Sequence, residues 1–368
     1  MMEIEIRINE DEEDVEDVEV LDFIFNGLPR QLYTRHNHFD TLDDAAFRRR
    51  FRLSRACVLD LLISIERELE FPSDMNNAVS PMNQILTCLR VFSTGGHLQN
   101  IADFMGMHLS TVSRIVKRVS EAIARLYRQH IKFPSTNDEM SENQRNFFSI
   151  SGFPKVVGAI DCTHVKIQSP GGVDGEIYRN RKQYFSINTQ VICDANLKIM
   201  NVVARWPGSA HDSNIFNHSR IKDDFEDNVY PNCLLLGDSG YANGKYLVTP
   251  LLNPRTPPEQ LYNESHIRTR NVIERCFGVL KRRFPILAYG CRLKVDTCLI
   301  IIVAASVLHN LALRHNDNVL PPLPELVNEE QLERLIQDGQ IVAPGDIRNR
   351  RHVDGTRDFL IQNYFGNL

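Results

Sequence analysis

Residues 155–168 read KVVGAIDCTHVKIQ, an apolar run that ends at Asp161, and residues 233–241 read CLLLGDSGY, a second apolar run followed by Asp238. Short apolar runs of this kind predict buried strands. Ligand sites in α/β sheets lie where strands end. If the two strands are neighbours, their two aspartates converge. The sequence therefore predicts an α/β (α+β) domain with an acidic site at the ends of its strands.

The segments around these runs predict the rest of this domain, which we place at residues 150–315. Glu274 is expected on a helix whose apolar stripe faces the sheet, because apolar residues recur there at helical spacing (Ile273, Phe277, Leu280 and Phe284). That stripe places Glu274 at the margin of the packed face. Asp194 and Asn196 suit a hairpin turn between two strands. The other predicted elements are strands at 164–168, 185–192 and 199–204, and helices at 212–220, 265–284 and 297–315.

Residues 41–135 predict an all-helical region with a helix-turn-helix pattern. A short helix ends at Met105, Gly106 permits a tight turn, and Ser110 is expected to cap a longer helix. That longer helix has core-spaced apolar residues, which leave a basic face of Arg114, Lys117 and Arg118. We interpret this face as a DNA contact. The alternative is a plain helical bundle with a solvated basic face.

The formal net charge of -5 on the 368 residues is unevenly distributed. Residues 1–20 hold ten acidic residues and one arginine, a charge of -9, so the remainder has -5 + 9 = +4. The body is therefore mildly basic, which permits phosphate binding without requiring it. Residues 1–40 are predicted to be a largely disordered acidic tail, and residues 316–368 a polar C-terminal tail with a weak helix at 325–337.

The cysteines and the apolar stretches exclude several classes of protein. None of the eight cysteines forms a C-x-x-C pair, so we predict reduced core residues in an intracellular protein. The most apolar stretch, 299–308, is much shorter than the roughly twenty residues that span a bilayer, which predicts a buried helix and no membrane association.

Converging carboxylates have a chemical use that explains their cost. They repel one another unless they share cations, and hard oxygen ligands suit Mg²⁺ or Mn²⁺. Two such ions about 4 Å apart can activate a water molecule and stabilise the leaving oxygen of a phosphodiester. Asp161, Asp238 and Glu274 are the candidates for this chemistry.

Each candidate also has a structural explanation. An aspartate at a strand end is often a turn former. Glu274 could form an ion pair with Arg270 or Arg275, and Asp212 could cap the helix that follows it. Spacing and order favour the chemical interpretation only when the four acidic residues are considered together.

The whole set of motifs resembles a known family, the PIF/Harbinger-type DDE transposases. Within that family the chain is most similar to the harbinger transposase-derived nucleases. The likeness extends over about residues 47–313, with its motifs in the family's order. The segments that show it are GAIDCTHVKI (158–167), WPGSAHDSNIF (206–216), LLGDSGY (235–241), TPLLNP (249–254), NVIERCFGVLKRRFPIL (271–287) and LHNL (308–311).

The resemblance implies a fold, a reaction and a site. The fold would be an RNase H-like domain with a mixed sheet flanked by helices, preceded by the helix-turn-helix region. Asp161, Asp238 and Glu274 would be catalytic, and Asp212 would be a further metal ligand. The function would be that of a metal-dependent DNA endonuclease. The alternative is a domesticated, non-catalytic DNA- or protein-binding module that retains the scaffold.

DNA and protein partners follow from the same resemblance. Lys281 lies two turns after Glu274 on the same helix face, so it could contact a DNA phosphate near the metals. Family members usually depend on a Myb-like or trihelix DNA-binding partner protein for nuclear entry, so we expect such a partner and a location in nucleus and cytoplasm. The N-terminal helical half could instead serve mainly to recruit that partner. A homo-oligomer is also compatible with the sequence.

Overall fold

The computed structural model describes residues 33–72, 78–172, 175–317 and 355–368. The acidic segment 1–32 and the segment 318–354, with the predicted helix at 325–337, lie outside these described residues. The helices that precede the sheet are α1 (His38–Thr41), α2 (Asp44–Phe51), α3 (Arg55–Leu69), α4 (Pro81–Thr94), α5 (Leu98–Met105), α6 (Leu109–Arg125), α7 (Tyr127–His130) and α8 (Asn137–Ser151).

Helices α5 and α6 pack together with a tight turn between them, as the helix-turn-helix pattern predicts. Gly106 ends α5 with φ +63°, a backbone conformation that favours glycine. A Cβ atom there would also collide with the backbone oxygen of Thr34, which is a second reason for glycine at this position. The predicted cap was wrong. His108 is the N-cap of α6, and its Nδ1 accepts from the backbone N–H of Ser110 at 3.3 Å.

A mixed five-stranded sheet follows, as predicted, in the order β3-β2-β1-β4-β5. Strands β1, β2 and β3 pair antiparallel, whereas β4 runs parallel to both β1 and β5. The turn between β2 and β3 is the predicted hairpin, and Asp194 Oδ1 accepts from the backbone N–H groups of Asn196 and Lys198, each at 2.8 Å. The strands are β1 (Val156–Lys166), β2 (Ser186–Cys193), β3 (Ile199–Pro207), β4 (Leu234–Leu236) and β5 (Leu247–Val248).

Helices cover both faces of the sheet. One face packs on α11 (Pro257–Arg283) and α13 (Val295–Arg314), in a core that continues into the helical region. On the other face α9 (Asp212–Asn217) and α10 (Arg220–Glu226) bury Phe216, Ile221 and Phe225. A four-residue helix, α12 (Ile286–Tyr289), follows α11.

Two helices of the sheet-containing domain depart from the predictions. Helix α11 begins at Pro257 rather than near residue 265, because Thr256 and Glu259 form a capping box ahead of a proline at its first turn. The predicted helix 212–220 is two short helices, because the chain breaks at His218 and Ser219.

Helix α13 is long and apolar enough to cross a membrane by length and composition, but 67% of its most apolar window is buried inside the protein. It therefore fits the predicted buried helix. All eight cysteines are free, and every one except Cys162 is fully buried. This agrees with the prediction of reduced core residues.

The C-terminal residues are only partly the polar tail that we predicted. Residues 355–368 are described and form α14 (Thr356–Asn363), which packs beside α11. Phe365 lies 5.5 Å from Phe153 and 5.6 Å from Tyr262, measured between ring centroids. Burial of Leu360, Ile361 and Phe365 explains why this otherwise polar segment packs on the domain.

Candidate active site

Strand register places Asp161 beside Asp238. Ala159 of β1 pairs with Leu236 of β4 in parallel register, and each aspartate lies two residues further along. The interpretation of Asp161 as a strand-end residue was wrong, because β1 is one continuous strand from Val156 to Lys166. The convergence itself is as predicted. Strand β4 ends at Leu236, which leaves β1 uncovered on that side where Asp161 lies.

Asp212 comes to the same place from the start of α9. Its Oδ1 accepts a hydrogen bond from Asn188 Nδ2 at 2.9 Å, and the same amide donates to the Ala210 carbonyl at 2.9 Å. Asp212 does not cap its helix, since the N-cap is His211. Asn188, on β2, therefore fixes the position of the Asp212 carboxylate.

One carboxylate oxygen each from Asp161, Asp212 and Asp238 lies within 4.8 Å of the others, and all three residues are half-buried. Gly240 makes this approach possible: a Cβ atom there would lie 3.0 Å from Asp238 Oδ1 and 3.6 Å from Asp212 Oδ2. Its N–H donates to Asp238 Oδ1 at 2.9 Å. Strand register, Asn188 and Gly240 thus bring the three side chains close together.

Glu274 lies beside this group, and its carboxylate is paired with Arg270. Arg270 Nη1 donates to Asp161 Oδ2 at 2.9 Å, while its Nη2 donates to Glu274 Oε1 at 2.7 Å. One guanidinium therefore links the third predicted catalytic residue to the first. The ion pair considered as the structural explanation for Glu274 is present, with Arg270 as the partner. Arg270 is itself buried.

The electrostatics of the group show what this closeness costs. Burial raises the pKa of Asp161 to about 7, although the charge of Arg270 acts to lower it and Asp238 adds to the rise. Burial also raises the pKa of Asp238, again opposed by Arg270 and reinforced by Asp212. A divalent cation would relieve this repulsion. The donor set is all oxygen, and the buried Oδ1 of Asn188 has no hydrogen-bond partner among the described residues, so these residues fit a hard cation.

The pKa shift of Asp161 predicts a pH dependence of cation binding. Below about pH 7 a cation must displace the proton of Asp161, so the apparent affinity for Mg²⁺ should fall by up to about tenfold per pH unit. The sign follows from the raised pKa: protonation stabilises the cation-free fold at low pH, and this contribution is lost as pH rises through about 7. Calorimetric titration with Mg²⁺ between about pH 6 and pH 8 measures it. An affinity independent of pH would contradict the assignment of Asp161 as a ligand.

The predicted DNA contacts have different surroundings. Arg114 and Lys117 are exposed on α6. The guanidinium of Arg118 instead donates to the carbonyls of Glu68 and Glu70 at the end of α3 and lies over Phe71, so its role here is structural. DNA contact by Arg114 and Lys117 stays a prediction.

Lys281 is half-buried near the acidic group. Its Nζ donates to Thr163 Oγ1 at 2.6 Å and to the His164 carbonyl at 3.0 Å. Burial, together with the charge of Lys182, lowers the pKa of Lys281 to about 8. Its predicted phosphate contact also stays a prediction, and it would require the lysine to leave these partners.

A mixed sheet covered on both faces by helices, with aspartates on β1, after the adjacent β4 and at the start of α9, fits the class of RNase H-like DDE endonucleases. A family profile described as "DDE superfamily endonuclease" matches residues 160–310. The chain is 32% identical to the human protein named "Putative nuclease HARBI1" over 283 aligned residues. The alignment covers 76% of this chain and 81% of that protein. No solved structure gives a significant match.

More distant relatives extend the likeness. The Xenopus laevis protein of the same name is 29% identical over 75% of this chain and 82% of its own length. The Arabidopsis thaliana "Protein ALP1-like" is 26% identical over 82% of this chain and 77% of its own length. The chain belongs to the PIF/Harbinger family of DDE transposases and is similar to the harbinger transposase-derived nucleases. These likenesses support a nuclease-like function.

Proposed function

We propose that this protein is a metal-dependent DNA endonuclease that hydrolyses phosphodiester bonds with two divalent cations, Mg²⁺ or Mn²⁺. The observation that carries the proposal is the approach of Asp161, Asp212 and Asp238 to within 4.8 Å of one another. Such a group is costly in a protein that uses it only for structure, because burial and mutual repulsion both oppose ionisation. In a cation-dependent nuclease the same group is the binding site.

Each residue has a part in this function. Bound cations would supply the Lewis-acid chemistry, polarising the phosphodiester and lowering the pKa of an attacking water. Asp161 on β1 and Asp238 directly after the adjacent β4 hold ligand oxygens at fixed positions. Asn188 directs the Asp212 carboxylate toward them. Because these side chains are preorganised, little reorganisation is needed when a cation binds.

Glu274 is the most exposed member of the set. Its side chain is 53% exposed, whereas that of Asp161 is 17% exposed. It can therefore leave Arg270 and turn toward the aspartates without breaking a packed core. We propose that Glu274 completes the ligand set in this way and that Arg270 offsets part of the negative charge of the site until then.

The test is cleavage of supercoiled DNA by the purified full-length chain in Mg²⁺, in Mn²⁺ and in excess chelator. Nicked and linear products should form with either cation and be absent in chelator. Cation binding is measured separately, by the rise in thermal unfolding temperature that a native-state ligand produces. If cations stabilise the protein but neither Mg²⁺ nor Mn²⁺ supports cleavage, the endonuclease proposal is contradicted.

The Arg270 pairing favours one alternative, a non-catalytic DNA- or protein-binding module. A site whose negative charge is partly offset by arginine could persist without metal. The three aspartates argue against it, since clustered negative charge weakens binding to DNA phosphates. Absence of any cation-induced stabilisation, with DNA binding retained in chelator, would establish this module instead.

The family membership also suggests DNA contacts, a partner protein and a cellular location. We propose that Arg114 and Lys117 of the helix-turn-helix region contact DNA, and that Lys281 approaches a phosphate next to the site. We also propose a Myb-like or trihelix partner protein and a location in nucleus and cytoplasm. The exposure of the first two side chains supports the DNA contact.

A further inference from the structure

The loop between β1 and β2 contains a basic segment that the sequence analysis did not single out. Residues 179–182 read RNRK and follow a 3-10 turn at Gly175–Tyr178. The loop packs against β1 close to the acidic group. The Tyr184 ring lies 6.5 Å from that of His164, and His164 is three residues beyond Asp161, roughly 10 Å along the strand.

A buried asparagine fixes the shape of this loop. Asn180 Oδ1 accepts from the backbone N–H groups of Lys182 at 2.9 Å and Tyr184 at 3.3 Å. Its Nδ2 donates to Ser186 Oγ at 3.0 Å, at the start of β2. The side chains on either side of Asn180 therefore project from a fixed backbone.

The three basic residues of the loop are used differently. Arg179 is neutralised, since its Nε and Nη2 donate to the two carboxylate oxygens of Glu176 at 2.7 and 2.9 Å. Its guanidinium also lies 4.4 Å from the centre of the Phe185 ring. Arg179 is therefore paired within the loop and is not available to bind a phosphate.

Arg181 and Lys182 are exposed. Arg181 Nη2 donates to His211 Nδ1 at 2.6 Å, and His211 directly precedes Asp212. Lys182 is near enough to Lys281 for its charge to lower the pKa of that lysine. Within the described residues, neither Arg181 nor Lys182 forms an ion pair with a carboxylate. Among the described residues, these two basic side chains thus concentrate unpaired positive charge beside the three aspartates.

We propose that Arg181 and Lys182 form a phosphate-binding strip that holds the backbone of duplex DNA beside the aspartates, a proposal that rests on the proposed function. A polyanion whose scissile phosphate lies at the aspartates must place neighbouring phosphates nearby, where acidic residues alone would repel it. Two basic side chains on a fixed backbone at the edge of the acidic group would attract these neighbouring phosphates. Arg181 uses one of its five N–H donors on His211, so the others can bind phosphate oxygens.

The test compares the double variant Arg181→Gln/Lys182→Gln with the matched control Arg179→Gln. Binding of the full-length chain to a labelled duplex of mixed sequence is measured by fluorescence anisotropy in chelator, so that cleavage plays no part. The slope of log affinity against log salt should fall by about 1.8 in the double variant, since each phosphate contact contributes about 0.9. Between about 50 and 200 mM salt the affinity ratio of parent to double variant should therefore shrink about tenfold. The control should keep the parental slope.

The outcomes separate this proposal from the endonuclease proposal. If the parent binds the duplex and the double variant keeps the parental slope, the strip is a solvated surface and the inference is overturned, while the nuclease stands. A parent that binds no duplex DNA at low salt overturns the strip, while the endonuclease proposal is decided by the separate cleavage test. Stronger binding to duplex RNA, with the same loss in the double variant, overturns the choice of DNA. Thermal unfolding of the variants checks that exposed substitutions leave the fold unchanged.

Discussion

Substitution of Asp161 by asparagine is expected to lower the rate of cation-dependent DNA nicking by at least about a thousandfold and to leave the fold intact. Asp161 both belongs to the group of three aspartates and receives a hydrogen bond from Arg270. Asparagine has almost the same shape, and its oxygen can still accept from the backbone N–H of Cys162, as Asp161 Oδ1 does at 2.7 Å. It lacks the negative charge that a cation requires. Burial and the neighbouring Asp238 already disfavour the charged form of Asp161, and Arg270 keeps Glu274 as a partner, so the loss falls mainly on chemistry rather than on folding.

The measurement is the initial rate of nicking in Mg²⁺, together with thermal unfolding in Mg²⁺ and in chelator. Mg²⁺ should stabilise the parent, and much less the variant. Asp194→Asn is the matched control, because Asp194 is also buried and accepts two backbone N–H groups, but at the hairpin turn away from the site. Parental cleavage by the Asp161 variant would remove Asp161 from the catalytic set.

The convergence of the aspartates could be predicted from sequence because it depends on strand order. An apolar run before each of Asp161 and Asp238 is enough to place both at one level of the sheet once the strands are adjacent and parallel. The error about Asp161 came from the polar residues that follow it. Cys162, Thr163 and His164 interrupt the apolar pattern, although the strand continues through them.

The electrostatic partners of the site were harder to predict. Arg270 lies four residues before Glu274, and that spacing equally fits an ordinary surface pair. What distinguishes it is burial against Asp161, a contact across 109 residues that periodicity does not reveal. Asn188 and Gly240 are similar cases, since their roles depend on tertiary distances to Asp212 and Asp238.

The roles of the basic residues were also hard to predict from sequence. Sequence identifies the charge of Arg118 and Arg181 but not its use. The first donates to carbonyls at the end of a neighbouring helix, whereas the second remains exposed beside the acidic group. Helix ends and loop conformations decide this, and both arise from packing.

Substitution of Arg270 by methionine is expected to lower the free energy of unfolding by about 3–5 kcal/mol in chelator, the usual cost of removing one partner of a buried ion pair. Methionine keeps the length and apolar contacts of the side chain. The Asp161 contact should dominate the loss, because that carboxylate is less exposed than Glu274. Arg268→Met is the matched control. Arg268 pairs with Glu264 on the same helix at 2.9 Å, but with side chains 27% and 43% exposed, so its loss should be at most about 1 kcal/mol.

The conditions under which the Arg270→Met variant regains stability show why the substitution lowers the free energy of unfolding. Arg270 holds down the pKa of Asp161, so without it the carboxyl takes up a proton more readily and the deficit should shrink from about pH 8 to about pH 6. Excess Mg²⁺ should shrink it too, because a cation at the aspartates replaces the lost positive charge. Denaturant unfolding at both pH values, with and without Mg²⁺, measures these effects. A deficit that neither acid nor Mg²⁺ reduces would mean that Arg270 serves packing, and that its charge does not balance the acidic site.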